Sequence, residues 1–108
     1  MINSDVLKGY NDIIILNILQ EGDSYGYAIS RRIREVSGGQ YSIKETTLYS
    51  AFYRLEKNGY IEKYYGTQSL GKQRSYYKIT SSGNNYYLKK CNEWNETQSI
   101  INKFTMEV

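Results

Sequence analysis

The 108-residue sequence contains no histidine, no proline and a single cysteine, Cys91. Without histidine, the chain lacks the most common metal ligand and the most common general base at neutral pH. One cysteine allows no disulfide within the chain. The carboxylates are scattered, and no glycine-rich phosphate loop is present. The sequence therefore predicts a protein that is not an enzyme and that uses no metal or cofactor.

Long apolar runs are also missing. The longest, Ile13–Leu16, is far shorter than the roughly 18 residues of a membrane span. The N-terminus lacks the basic flank and apolar stretch of a secretory signal. Hydrophobic residues make up 40% of the chain and charged residues 23%, a composition typical of globular proteins. We therefore expect a cytoplasmic protein that does not contact a membrane.

The net charge of +3 is unevenly distributed along the chain. Residues 31–90 hold twelve lysines and arginines but four acidic residues, whereas residues 1–30 and 91–108 are both net acidic. A basic segment of this kind attracts a polyanion such as nucleic acid, although a solvated surface without a partner explains the charge equally well. Several of the thirteen tyrosines lie beside basic residues, where their hydroxyls can donate to phosphates.

Hydrophobic periodicity predicts three helices followed by a hairpin. The predicted helices cover residues 6–20, 25–37 and 44–58, and the predicted strands cover residues 60–65 and 75–80. Gly22, Gly38 and Gly59 stand where these helices end, and Ile61 and Ile79 are expected to point into the core. Three short helices and a hairpin with a long basic loop form a winged helix-turn-helix. The expected fold is mainly α, with this small α+β unit at its centre.

Polar residues before each later helix are candidate caps. They are Asp23 and Ser24 for the second helix, Ser42 with Glu45 for the third, and Thr80 or Ser81 for the fourth.

The third helix has two contrasting faces. At about 100° per residue, Leu48, Ala51, Phe52 and Leu55 fall on one side. The opposite side bears hydroxyls, a ring and cations, with no aliphatic residue. An ordinary solvent-facing helix has the same pattern, but this helix is the third of three directly before a hairpin, which is the position of a DNA-reading helix.

Candidate DNA contacts follow from this arrangement. Thr46, Thr47 and Ser50 are candidates for base edges or nearby phosphates, because hydroxyls serve both. Tyr25, Tyr49 and Arg54 are candidates for phosphates, and Lys72 and Arg74 for a wing that reaches a phosphate or the minor groove. The full set is Tyr25, Lys44, Thr46, Thr47, Tyr49, Ser50, Arg54, Lys72 and Arg74.

The predicted last helix is about 25 residues long and ends near Met106, giving a length of roughly 37 Å. This exceeds the small domain before it, so its apolar stripe needs a partner subunit, although packing onto the first helix of the same chain is the alternative. We expect a winged domain over residues 1–80 and a dimerisation helix over residues 81–108. The candidate dimer contacts are Tyr87, Cys91, Trp94, Ile101 and Phe104.

Four motifs resemble the PadR family of bacterial transcriptional regulators. They are Tyr25-Gly26-Tyr27-Ala28-Ile29, Thr47-Leu48-Tyr49, Arg54-Leu55-Glu56-Lys57-Asn58-Gly59-Tyr60-Ile61 and Arg74-Ser75-Tyr76-Tyr77-Lys78-Ile79-Thr80-Ser81-Ser82-Gly83. The resemblance covers nearly the whole chain. It implies a homodimeric, sequence-specific DNA-binding regulator on a pseudo-palindromic operator in double-stranded DNA. A single C-terminal helix is similar to the short subfamily, which includes multidrug-sensing repressors.

In those repressors, a tryptophan midway along the last helix helps to form a drug site at the dimer interface, and Trp94 falls at that place. The resemblance thus implies a repressor relieved by a planar aromatic ligand, with Trp94, Asp12, Ile13 and Gln98 as candidate contacts. Gln98 stands where the multidrug sensor carries an acid, so Asp12 is the candidate for supplying that charge. Lys44 departs too, since the family often has a small polar cap there. The alternative for Trp94 is simple packing in the dimer seam.

Three other functions remain open. A winged helix can bind a protein through its aromatic surface, although such a contact does not require Lys72, Arg74 and Lys78 together. A small enzyme would need a catalytic constellation that the sequence does not display. A regulator with no small-molecule ligand has the same sequence features as a drug sensor.

Overall fold

The computed structural model describes residues 2–67 and 73–106, which form a mainly helical fold with a small antiparallel sheet. After a short 3₁₀ turn at Lys8–Tyr10, the elements are α1 (Asn11–Gln20), β1 (Ser24–Tyr25), α2 (Gly26–Val36), α3 (Glu45–Lys57), β2 (Ile61–Thr67), β3 (Gln73–Ile79) and α4 (Ser81–Thr105). The order of helices and hairpin confirms the predicted winged helix-turn-helix.

One apolar core joins the first three helices to the sheet. Ile15 and Leu16 of α1, Ile29 of α2 and Phe52 of α3 are fully buried in it. Ile61 enters from β2 as predicted, and Ile79 packs against the core from the end of β3. Burial of large aliphatic and aromatic side chains contributes roughly 1.5–3 kcal/mol each, so this core fixes the orientation of α3.

The sheet has three strands in the order β1-β3-β2, one more than predicted. Ser24 pairs with Tyr77 and Tyr25 with Tyr76, so the backbone before α2 adds a short edge strand to the hairpin. The prediction that Asp23 and Ser24 cap α2 is wrong for this reason. Tyr25 is the N-cap residue and makes no side-chain cap, because the segment is held by strand pairing.

Two further boundaries differ from the sequence predictions. The first α-helix starts at Asn11, not at residue 6, because Gly9 disfavours helix and Val6 is exposed and gains nothing from burial. Asn11 is buried, and its Oδ1 accepts a 2.7 Å hydrogen bond from the Tyr41 hydroxyl. The capping box from Ser42 is also wrong, since α3 begins after Lys44 without a side-chain cap.

The hairpin is longer than predicted. Gly66 pairs with Arg74 and Thr67 with Gln73, so four residues assigned to the loop are strand residues. A Cβ on Gly66 would lie 2.4 Å from the ring of Tyr76, so glycine leaves room for this ring. The predicted wing contact Lys72 lies outside the described residues.

The last helix spans 25 residues and begins as predicted, with the Thr80 hydroxyl accepting from the Gly83 N–H at 3.0 Å. Its first half is docked on α1, where Asn17 donates to the Tyr87 hydroxyl at 2.9 Å and Gln20 donates to Asn84 at 2.8 Å. Its second half extends beyond the core. Intrachain packing onto α1 therefore accounts for the start of the helix and leaves its end uncovered.

Candidate nucleic-acid interface

The two faces of α3 have the predicted environments. Leu48, Ala51, Phe52 and Leu55 are buried. Thr46, Tyr49, Ser50, Tyr53 and Arg54 are exposed, Thr47 is half-buried, and Lys44 is exposed directly before the helix. The outer face thus offers hydroxyl, ring and cationic groups to solvent while the core holds the other face rigid.

A polar cleft of about 510 Å³ lies between α3 and the start of α1. Four of the predicted DNA contacts border it: Thr46, Thr47, Ser50 and Arg54. Lys8 and Asp12 border it from the other side. Lys8 was missed by sequence reasoning, although it is the sole cation among residues 1–30. Its place beside α3 makes it a further candidate for a phosphate contact.

Arg54 is tied to α1. Its Nη2 donates to Oδ1 of Asp12, and the Tyr86 hydroxyl of α4 donates to Oδ2 of the same carboxylate at 3.0 Å. Asp12 therefore binds both Arg54 and Tyr86, which are each far from it in the sequence.

Tyr49 packs closely over the start of α2. A Cβ added to Gly26 would lie 2.3 Å from the Tyr49 hydroxyl oxygen, and the Tyr49 ring meets Phe52 edge-on with centroids 5.4 Å apart. Gly26 thus provides the space for Tyr49, which links the two motifs in which they stand. The hydroxyl is held near the N-terminus of α2, where a phosphate is electrostatically favoured.

The base of the wing brings together Tyr25 and Arg74. The Arg74 guanidinium carbon lies 3.8 Å from the centroid of the Tyr25 ring, within the range of a cation–π contact. Tyr25 in turn meets Tyr76 edge-on, and Tyr76 stacks on Tyr64. The Tyr64 hydroxyl donates to Asp23 at 2.7 Å, and this hydrogen bond raises the pKa of Tyr64. The aromatic series fixes where the Arg74 cation stands.

An apolar pocket of about 500 Å³ lies where α4 passes the N-terminal segment. Its lining is Ile2, Val6, Leu7, Tyr10, Ile13, Ile14 and Trp94. The Trp94 and Tyr10 rings meet edge-on with centroids 5.1 Å apart. Of the predicted ligand contacts, Trp94 and Ile13 are brought together here. Asp12 and Gln98 are not among the lining residues, because Asp12 is directed to Arg54 and Gln98 lies a turn further along α4.

The predicted dimer contacts divide along α4. Tyr87 and Cys91 are half-buried within the chain. Trp94, Ile101 and Phe104 are 40%, 53% and 83% exposed. Other apolar residues exposed on α4 or nearby are Ile2, Val6, Leu88, Ile100 and Met106. A surface with this many exposed apolar side chains is typical of a protein interface.

The described residues contain no group of three or more His, Cys, Asp or Glu side chains placed to hold a metal ion. In the same part of the chain, no helix is long and apolar enough to cross a membrane.

Comparison with known proteins agrees with this geometry. Residues 15–89 match the transcriptional regulator PadR-like family. A transcriptional regulator from Clostridium thermocellum is 57% identical, with a TM-score of 0.90 over 98% of this chain and 100% of its own. A PadR family transcription regulator from Clostridium difficile is 37% identical, with a TM-score of 0.78 over 90% of this chain and 99% of its own. An uncharacterized protein of Lysinibacillus sphaericus is 46% identical over 104 residues, which are 96% of this chain and 95% of that protein.

The fold and the exposed third helix define a winged-helix transcriptional regulator. The chain belongs to the PadR-like family, as its four sequence motifs predicted. That family consists of transcriptional regulators and not of enzymes.

Proposed function

We propose that this regulator is a sequence-specific repressor that binds a pseudo-palindromic operator as a homodimer. The observation that carries the proposal is the outer face of α3, where hydroxyls and cations are presented to solvent on a helix whose other face is locked in the core. Seated in a major groove, Thr46, Thr47 and Ser50 contact base edges or nearby phosphates. Lys44, Tyr49 and Arg54 contact the backbone.

The wing contributes a second backbone contact. Arg74 supplies the cation, and its contact with the Tyr25 ring supports a role for Tyr25 in positioning Arg74. Lys72 is assigned to the same contact from the sequence alone. These groups position the protein on DNA without reading its sequence.

The partner for the uncovered half of α4 is a second copy of the chain. Trp94, Ile101 and Phe104 line the proposed seam, and residues 81–108 act as the dimerisation unit beside a winged unit of residues 1–80. Tyr87 and Cys91 lie closer to α1 and border the seam at its edge. Such a dimer places two copies of α3 on half-sites one helical turn apart.

The ligand of the repressor is proposed to be a planar aromatic compound. The pocket beside Trp94 supports this, because an aromatic face and aliphatic walls suit a flat apolar molecule. Ile13 lines the pocket with Trp94. A ligand that binds the DNA-competent and incompetent dimers with different affinity shifts repression. Asp12 and Gln98 contribute only if dimerisation brings them near.

Two experiments test the proposal. Selection of bound genomic fragments at about physiological salt yields the operator. Because phosphate contacts release counterions, affinity should fall as salt rises from about 50 to 200 mM. Affinities that do not change over this range for any duplex contradict DNA binding. Titration of planar dyes against indole fluorescence tests the ligand, and the control is W94A, whose dye binding is followed by the fluorescence anisotropy of the dye because this variant has no indole. Since Trp94 is the sole tryptophan, saturable quenching reports on that site. Quenching by no dye in a broad panel leaves Trp94 as interface packing and the protein as a regulator without such a ligand.

A further inference from the structure

Asp12 is the point at which α1, α3 and α4 meet through polar contacts. One of its carboxylate oxygens accepts from Arg54 of α3, and the other accepts from Tyr86 of α4. The Asp12 side chain is 17% exposed, whereas that of Arg54 is 52% exposed. A cation that reaches solvent beside the reading helix is therefore anchored to a shielded carboxylate.

Tyr86 is itself firmly placed. Its ring stacks on that of Tyr60, with centroids 4.1 Å apart and an angle of 13° between the planes. Lys90 lies over the ring at 5.4 Å from its centroid, and it pairs with Glu93 at 3.0 Å. Burial, and then the Asp12 carboxylate, raise the pKa of Tyr86. The hydrogen bond from Tyr86 to Asp12 therefore depends on where α4 lies against α1.

We propose that Asp12 is a positioning residue that restrains Arg54 from the DNA backbone, and that Tyr86 weakens this restraint from α4. The proposal rests on the DNA binding proposed above. Arg54 borders the cleft beside the outer face of α3, and a helix seated in a major groove has phosphates on both sides. On DNA, the guanidinium therefore has two competing anionic partners, the Asp12 carboxylate and a phosphate.

The charges determine the direction of each effect. Removing the Asp12 charge frees Arg54 and also removes repulsion between the carboxylate and the phosphates, so affinity for any duplex rises. Tyr86 acts in the opposite sense, because its hydrogen bond occupies one carboxylate oxygen. Without it, Asp12 is free to pair with Arg54 through both oxygens, the strongest geometry for this pair, and affinity falls.

The test measures binding of D12N, Y86F, R54Q and the two double variants with R54Q to one duplex of random sequence, by fluorescence anisotropy between about 50 and 200 mM salt. A phosphate contact adds about 0.9 to the salt slope, so we expect D12N to bind about three- to tenfold more tightly with a slope steeper by about that amount. Y86F keeps the ring that stacks on Tyr60 and is expected to bind at least about twofold more weakly. In the R54Q background, Y86F is expected to have no effect, and D12N is expected to keep only the smaller gain that comes from the lost repulsion.

Opposite effects that both depend on Arg54 are not expected from a residue that only stabilises the fold. Equal or weaker binding by D12N, or a gain that persists undiminished with R54Q, overturns the proposal. Thermal unfolding of each variant identifies loss of folding. If D12N does not fold, Y86F decides, and binding equal to that of the wild type overturns the coupling. If the wild-type protein binds no duplex at all, the proposed function fails instead.

Discussion

The guanidinium carbon of Arg74 lies 3.8 Å from the centroid of the Tyr25 ring, so the edge strand before α2 holds the cation at the base of the wing. Tyr25 itself is fixed by pairing with Tyr76 in β3. The relationship links two motifs that are far apart in the sequence and gives Tyr25 a role that depends on its ring.

Substitutions at Tyr25 separate the ring from the hydroxyl. Y25L removes the aromatic face, and we expect it to weaken binding to operator and random duplex to a similar extent as R74A. Y25F keeps the contact with Arg74, which is worth about 0.5–1 kcal/mol at an exposed site, and is expected to bind as the wild type does. Anisotropy titrations of all three variants measure this. Equal losses in Y25F and Y25L would show that the hydroxyl itself makes the contact.

Gly83 allows the start of α4 to pack against the backbone that connects α3 to β2. A Cβ at this position would lie 2.0 Å from the Tyr60 carbonyl oxygen, which also accepts from the Thr80 N–H at 3.1 Å. We expect G83A to lower the free energy of unfolding by about 1–3 kcal/mol, as overpacking does. Urea unfolding measures the change. The control is G9A, since a Cβ on Gly9 has no neighbour within 4 Å, and a similar loss in both variants would contradict the account.

Much of this fold was predictable because local pattern and burial agree. The faces of α3 follow from apolar spacing that burial in the core stabilises, and the start of α4 follows from the N-cap at Thr80. The edge strand β1 was not predictable, since two residues carry no periodicity and their pairing depends on a strand about fifty residues away. For the same reason, the sequence named Asp12 and Arg54 separately, as ligand and phosphate contacts, and missed their ion pair.

Alkaline pH should reveal the burial of Tyr77, whose ring stacks on Phe52 with centroids 4.1 Å apart. Burial raises the pKa of Tyr77 to about 12, whereas an unfolded tyrosine titrates near 10. Tyr77 therefore loses its proton in the unfolded state first. Its contribution to the free energy of unfolding is fully present below about pH 10 and declines as pH rises from about 10 to 12.

We expect Y77F, which has no proton to lose, to show a smaller fall in the free energy of unfolding over that range. Denaturant unfolding between about pH 8 and 12 measures it. Y27F is the matched control, because Tyr27 is exposed on α2, and its profile should follow that of the wild type. Parallel profiles for Y77F and the wild type would contradict the prediction.

If the proposed dimer is correct, substitutions on α4 should prevent dimerisation without unfolding the chain. Ile101 and Phe104 are exposed in one chain, so replacing both with serine should leave the monomer folded. The loss of apolar area should shift sedimentation at micromolar concentration from dimer to monomer. Y53S alters a tyrosine that is 69% exposed on α3 and should leave the dimer intact. A wild-type chain that sediments as a monomer would refute the interface.

The central claim is that α3 reads the DNA sequence and that the wing contacts only the DNA backbone. It is tested most directly by the ratio of operator affinity to random-duplex affinity, measured for the wild type, S50A and R74A at about 100 mM salt. If Ser50 contacts a base edge, S50A should reduce the difference in binding free energy between operator and random duplex by about 1–3 kcal/mol. R74A should weaken both duplexes alike, keep the ratio within about twofold, and make the salt slope shallower by about 0.9. A ratio that changes in R74A and not in S50A would contradict the assignment of α3 as the reading helix.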